Sequence, residues 1–105
     1  MYWTQTSRLP ETEPDDANYA AYAHPQLLCG ASDDGRFVYD AIWVGTENCF
    51  VLTFLWINED LGFVEYERRV YPATRAQLLI EVARFQAEPE QVFQVAWNYS
   101  HLKIV

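Results

Sequence analysis

A chain of 105 residues, half of them hydrophobic and 16% aromatic, has enough apolar surface to close around one core, which excludes a chain disordered throughout. Fifteen acidic residues against seven basic ones leave a formal net charge of −8, a field that repels phosphate backbones and argues against direct nucleic-acid binding. The same field draws in basic protein surfaces. Acidity also falls along the chain, from six acids against one base over 1–35, to six against three over 36–71, to three against three over 72–105.

The opening MYWTQTSRLPETEPDD lacks the apolar segment of an export signal. The longest apolar run, FVLTFLWI at 50–57, is broken by Thr53 and falls far short of the roughly 20 residues that span a bilayer. A cytoplasmic protein without membrane contact is the expectation. Cys29 and Cys49 then read as buried free thiols rather than a disulfide.

Residues 1–16 hold Pro10 and Pro14 among polar side chains and read as an irregular N-terminal arm, with Tyr2 and Trp3 packing back onto the body or onto a partner. Residues 17–105 read as a single α+β domain. Asp15 or Asp16 caps a short helix to about Ala23, with Tyr19, Tyr22 and Ala23 on one face and His24-Pro25 as its stop. The turn SDDG at 32–35 introduces three strands. The first, about 36–44, sets Phe37, Tyr39, Ala41 and Trp43 on one face and Arg36, Val38, Asp40, Ile42 and Val44 on the other. GTEN at 45–48 is a hairpin loop. The second strand, about 49–57, is apolar on both faces and is expected to be covered on both. NEDLG at 58–62 turns the chain again, and the third strand, about 62–71, alternates Val64, Tyr66 and Val70 with Glu65, Glu67 and Arg69.

Thr74 with Gln77 three positions on fits a capping box, and the spacing predicts a helix over about 75–87 with Leu78, Leu79, Val82, Ala83 and Phe85 as its apolar stripe. Beyond Pro89 the pattern is ambiguous between strand and helix over about 91–99; the alternation of Phe93, Val95, Trp97 and Tyr99 favours a strand. The fold class is α+β: a small antiparallel β-meander with a helix packed on one face and a C-terminal strand or helix completing the layer.

Chemistry is narrowed mainly by exclusion. Cys29, Cys49, His24 and His101 lack the close spacings that present two metal ligands together, and no motif surrounds the thiols and histidines to make a nucleophile. Four isolated glycines form no phosphate-binding loop. Neither metal nor cofactor is expected. Glu65 and Glu67 sit two apart on one strand face, about 7 Å from each other, a spacing open to acid–base chemistry but equally that of a solvated strand with Arg36, Arg68 and Arg69 nearby.

Binding remains. Seventeen aromatic residues exceed what one thin core readily hides, and Trp and Tyr concentrate at interfaces. The expected partner-binding set is Trp3, Tyr39, Trp43, Tyr66 and Tyr71, with Asp15, Asp16, Asp33, Asp34, Glu59 and Asp60 steering a basic protein partner. The reading is a non-catalytic acidic module of the inhibitor, immunity, antitoxin or assembly-factor type. A second reading is a small-molecule-binding or enzymatic domain with a pocket between sheet and helix, using Asp40 or His101. A third is a homodimer joined through an exposed strand edge.

Overall fold

The computed structural model describes residues 1–94. Its elements are β1 (Trp3–Ser7), α1 (Tyr19–Tyr22), β2 (Leu28–Ser32), β3 (Phe37–Val44), β4 (Cys49–Ile57), β5 (Val64–Val70) and α2 (Arg75–Ala87). The strands form one five-stranded sheet in the order β1-β2-β3-β4-β5, every neighbour antiparallel. Residues 89–94 are helical, so the strand favoured after Pro89 is corrected as far as Gln94; the rest of that expectation and His101 lie outside the described residues.

The meander follows from three tight reversals. Gly35 and Gly62 adopt φ of 74° and 77° in the β2–β3 and β4–β5 turns, where a side chain would be strained. Asn48 takes φ 55° in the β3–β4 loop, a conformation that asparagine tolerates better than most residues. In register, Tyr39 faces Phe54, Ala41 faces Leu52 and Trp43 faces Phe50 across β3 and β4. These even positions of β4 and odd positions of β3 build the covered face of the sheet.

Over that face lie α1, α2 and residues 89–94. Leu78, Val82 and Phe85 of α2, Tyr22 of α1, and Val92 and Phe93 join Phe37, Tyr39, Phe50, Leu52 and Phe54 in one buried cluster. The α2 N-terminus is capped as its sequence signals: Thr74 Oγ1 accepts from Gln77 N at 3.1 Å, and Gln77 Oε1 accepts from Ala73 N. Glu13 supplements the cap by accepting from the amides of Arg75 and Ala76. The apolar stripe is narrower than its spacing implies, since Leu79 and Ala83 are exposed.

Two further expectations are corrected. The arm read as irregular supplies an edge strand, β1, whose partner β2 escaped the strand reading because it is only five residues long and has Gly30 at its centre. Gly30 is required there: a Cβ would stand 2.4 Å from the Tyr39 ring lying across it. The second correction concerns β4: none of the described helical segments covers its other face. Cys49, Val51, Thr53, Leu55 and Ile57 are half-buried, and the matching positions of β3 are likewise half-buried, because every helical segment described lies on the opposite side. Among the described residues, no helix is long and apolar enough to cross a membrane.

Candidate acidic docking end

The meander sorts the acidic loops by end. Turns β2–β3 and β4–β5 lie at the same end of the sheet, joined by Ile57 N donating to Arg36 O at 2.7 Å. They bring Asp33, Asp34, Glu59 and Asp60 to one rim, although 24 residues lie between Asp34 and Glu59 in the sequence.

At this rim each turn is fixed by its own side chains. The Ser32 hydroxyl donates to Asp34 Oδ1 at 2.6 Å, Arg36 N donates to the same oxygen at 3.0 Å, and Phe37 N donates to Ser32 Oγ. The Ser32 hydroxyl, and next the Arg36 amide, hold the Asp34 carboxyl below the usual aspartate range. Asn58 Oδ1 accepts from the amides of Asp60 and Leu61 while its Nδ2 donates to Glu65. Asp33, Glu59 and Asp60 are exposed.

Beside the acids stand large apolar groups in solvent. Leu61 is 78% exposed, and Phe63, Val64 and Tyr66 are each about half exposed. Tyr66 leans on Trp56, with ring centroids 5.2 Å apart, and Trp56 leans on Phe37 at 5.2 Å, so an aromatic row runs from the β5 edge into the core. The Arg36 guanidinium lies over the Phe37 and Trp56 rings at 5.2 and 5.8 Å and reaches Glu90 at 3.6 Å. An open hollow of about 380 Å³, floored by Phe37 and bordered by Met1, Glu88 and Glu90, adjoins the same rim.

The other expected contacts separate from this end. Trp43 is half-buried and packs on Tyr22 and Phe50 at the opposite end, near α1; the Tyr71 side chain, about half exposed, follows β5 there. Asp15 and Asp16 precede α1 at that far end, and Asp15 is occupied in accepting from the amides of Ala17 and Asn18. Trp3 and Tyr39 belong to the interior layer. Tyr39 is withdrawn from the expected contact set because its side chain is wholly buried, its hydroxyl bonded to Gln5 and Gln86 and its pKa raised chiefly by that burial. Trp3 packs against Tyr39 and Phe85 and donates from Nε1 to Gln86 O.

Glu65 and Glu67 do not form a carboxylate pair with a shared task. A register shift at Trp56/Ile57 disturbs their alternation, Glu65 accepts from Asn58, and Glu67 is paired with Arg69 at 3.0 Å. Asp40 lies on the sheet face opposite α2, so it does not enter a space between the sheet and that helix. Cys29 and Cys49 are free and half-buried, and no group of three or more metal-ligating side chains occurs among the described residues.

Sequence reasoning missed Leu61, Phe63 and Val64. The signal was present as large apolar residues flanking Gly62 in a turn, where polar residues are the rule. The Asp34 carboxyl offers a test of the rim's local order. Its native pKa is lowered, so its contribution to stability is present above the ordinary aspartate value of about 3.9 and disappears as pH falls through the depressed native one. Urea midpoints of the wild type and Asp34→Asn should differ most near neutral pH and converge on acidification below that range.

No family model matches the chain, and neither a curated protein nor a solved structure matches it.

Proposed function

We propose that this protein is a non-catalytic binding module, of the inhibitor, immunity, antitoxin or assembly-factor type, that docks to a basic protein partner. The observation that supports this reading is the convergence of Asp33, Asp34, Glu59 and Asp60 with exposed Leu61, Phe63, Val64 and Tyr66 at one end of the sheet. Apolar and aromatic groups at the centre of a contact supply affinity by leaving water, while charges at its border govern encounter and partner choice. The net charge of −8 extends that preference to the whole molecule.

The experiment begins with capture of the partner from native-host extract on the immobilised chain at low salt, followed by association kinetics with the purified partner. Between 0.1 and 1 M salt the Debye length shrinks from about 10 Å to about 3 Å. The association rate should fall by at least about tenfold over that range, with the dissociation rate changing less. A tight complex whose association ignores salt would remove the electrostatic half of the reading.

A further inference from the structure

β5 is the last strand of the sheet, and no described strand pairs with its outer edge. The register tells which backbone groups that edge presents. Phe50 N donates to Pro72 O at 2.8 Å, which makes these two residues a hydrogen-bonded antiparallel pair. Such pairs recur at every second position, so Tyr66, Arg68 and Val70 turn their N–H and C=O groups to Trp56, Phe54 and Leu52 of β4, while Glu67 and Arg69 turn theirs outward. β5 contains no proline, and Val64, Tyr66, Glu67 and Arg69 are exposed. An edge of this kind is a template for another strand. The opposite edge is not: β1 is polar from Thr4 to Ser7, and its one large apolar side chain, Trp3, packs inward on Phe85.

The side chains of β5 select what pairs with it. Glu65 and Glu67 balance Arg68 and Arg69, so the strand is neutral within a chain of net charge −8 and gives a basic segment no preference. A second copy is complementary in one register. With a two-fold axis at Arg68, Glu67 stands opposite the Arg69 of the second copy and Arg69 opposite its Glu67, each outward N–H and C=O group meeting its counterpart. On the other face Tyr66 then meets Val70. An axis at Glu67 would oppose two carboxylates, and an axis at Arg69 two guanidiniums, both unfavourable directly across a strand pair. Arg68 suits the axis because its guanidinium turns over the covered face, where Nη1 donates to Val92 O at 3.4 Å. The antiparallel arrangement also sends the two acidic β4–β5 turns to opposite ends, farther apart than the strand's own length of about 23 Å and well beyond a Debye length of about 8 Å.

We propose that two copies of this chain join β5 to β5 about an axis at Arg68, forming one continuous sheet with Glu67 and Arg69 paired across the seam and Tyr66 against Val70. The proposal goes beyond the binding-module reading: Tyr66 belongs to the seam, while Asp33, Asp34, Glu59, Asp60 and Leu61 stay at the two outer ends of the dimer. So short a seam lies at the low end of interface size, and the dimer should dissociate with a Kd of about 10–100 μM.

The test is sedimentation of the full chain from about 5 to 500 μM, a range that brackets this Kd, with amide exchange read at both limits. The wild type should pass from monomer to dimer, and the Glu67 and Arg69 amides should gain protection as it does. Arg69→Glu and Glu67→Arg should each weaken self-association at least about tenfold, since each sets like charges opposite each other across the seam. An equimolar mixture of the two variants should dimerise again, because every seam pair is then of opposite charge; neither misfolding nor loss of the Glu67–Arg69 pair within one strand produces that rescue. A wild type monomeric throughout the range overturns the proposal, as does a mixture that stays monomeric. Protection of both amides in a monomer overturns it too, by placing other residues of the same chain on the edge. A monomer that still captures a basic partner leaves the binding-module reading standing without the dimer.

Discussion

Phe85→Ala should lower the stability of the fold by about 3–5 kcal/mol, read as a fall in the urea midpoint at unchanged slope. The size follows from position. Phe85 is fully buried at the centre of the layer between α2 and the sheet, and its ring centroid lies 4.5 Å from Phe54, 5.5 Å from Trp3, 5.8 Å from Phe93 and 6.1 Å from both Phe37 and Tyr39. Truncation therefore removes the ring's own transfer energy and leaves a cavity lined by five aromatic rings, which are too rigid to collapse into it. Against a total of about 5–15 kcal/mol for a domain of ordinary stability, the loss removes from about a fifth of that stability to all of it. Leu79→Ala on the same helix is the control. Leu79 is 38% exposed, so its loss should cost less than about 1 kcal/mol. Equal costs at the two positions would contradict the packing described here.

The elements that were legible from the sequence are those with a strong period or an explicit cap. β4 and α2 match their expected bounds, and β3 differs by one residue, because alternation and the Thr74 cap each mark a boundary chemically. β1 and β2 were not legible. Trp-Thr-Gln-Thr-Ser has one large apolar side chain, and β2 carries Gly30, which lowers strand propensity yet is required by the ring of Tyr39, nine positions on in the sequence and its direct partner across β2 and β3. That requirement is visible only once β2 and β3 are paired. The arrangement around β4 was likewise hidden: a strand apolar on both faces reads as doubly buried, and only the placement of the described helical segments on one side leaves the other face half-buried.

The candidate site was legible in composition but not in arrangement. Surplus aromatic side chains beside acidic turns are present at Tyr66, with Asp33, Asp34, Glu59 and Asp60, whereas Tyr39 is in the core and Trp43, Tyr71, Asp15 and Asp16 stand at the far end. Alternation cannot distinguish these cases, because Tyr39 and Tyr66 both occupy the covered face of the sheet. Their difference is lateral: Tyr39 lies on the central strand under α2, and Tyr66 on the β5 edge, where one side of the ring meets solvent.

Location, rather than net charge alone, should therefore control association. The triple variant Asp33→Lys, Glu59→Lys, Asp60→Lys takes the net charge from −8 to −2, since each reversal adds two charges. It should slow association with the basic partner by about 100-fold at moderate ionic strength, within the 10–10³ range that electrostatic steering supplies. Asp34 is left in place because Ser32, Arg36 and Phe37 depend on it, directly or through the Ser32 hydroxyl, for the turn. The matched control, Glu11→Lys, Asp16→Lys, Glu47→Lys, makes the same change in net charge at exposed positions toward the opposite end. The nine residues of β4 place the two ends about 30 Å apart, several times the Debye length of about 8 Å at physiological salt. Charges at the far end are thus screened from a partner arriving at the rim, and the control should slow association by less than about fivefold. Equal slowing by both variants would mean that the partner responds to total charge and does not recognise the β2–β3 and β4–β5 turns.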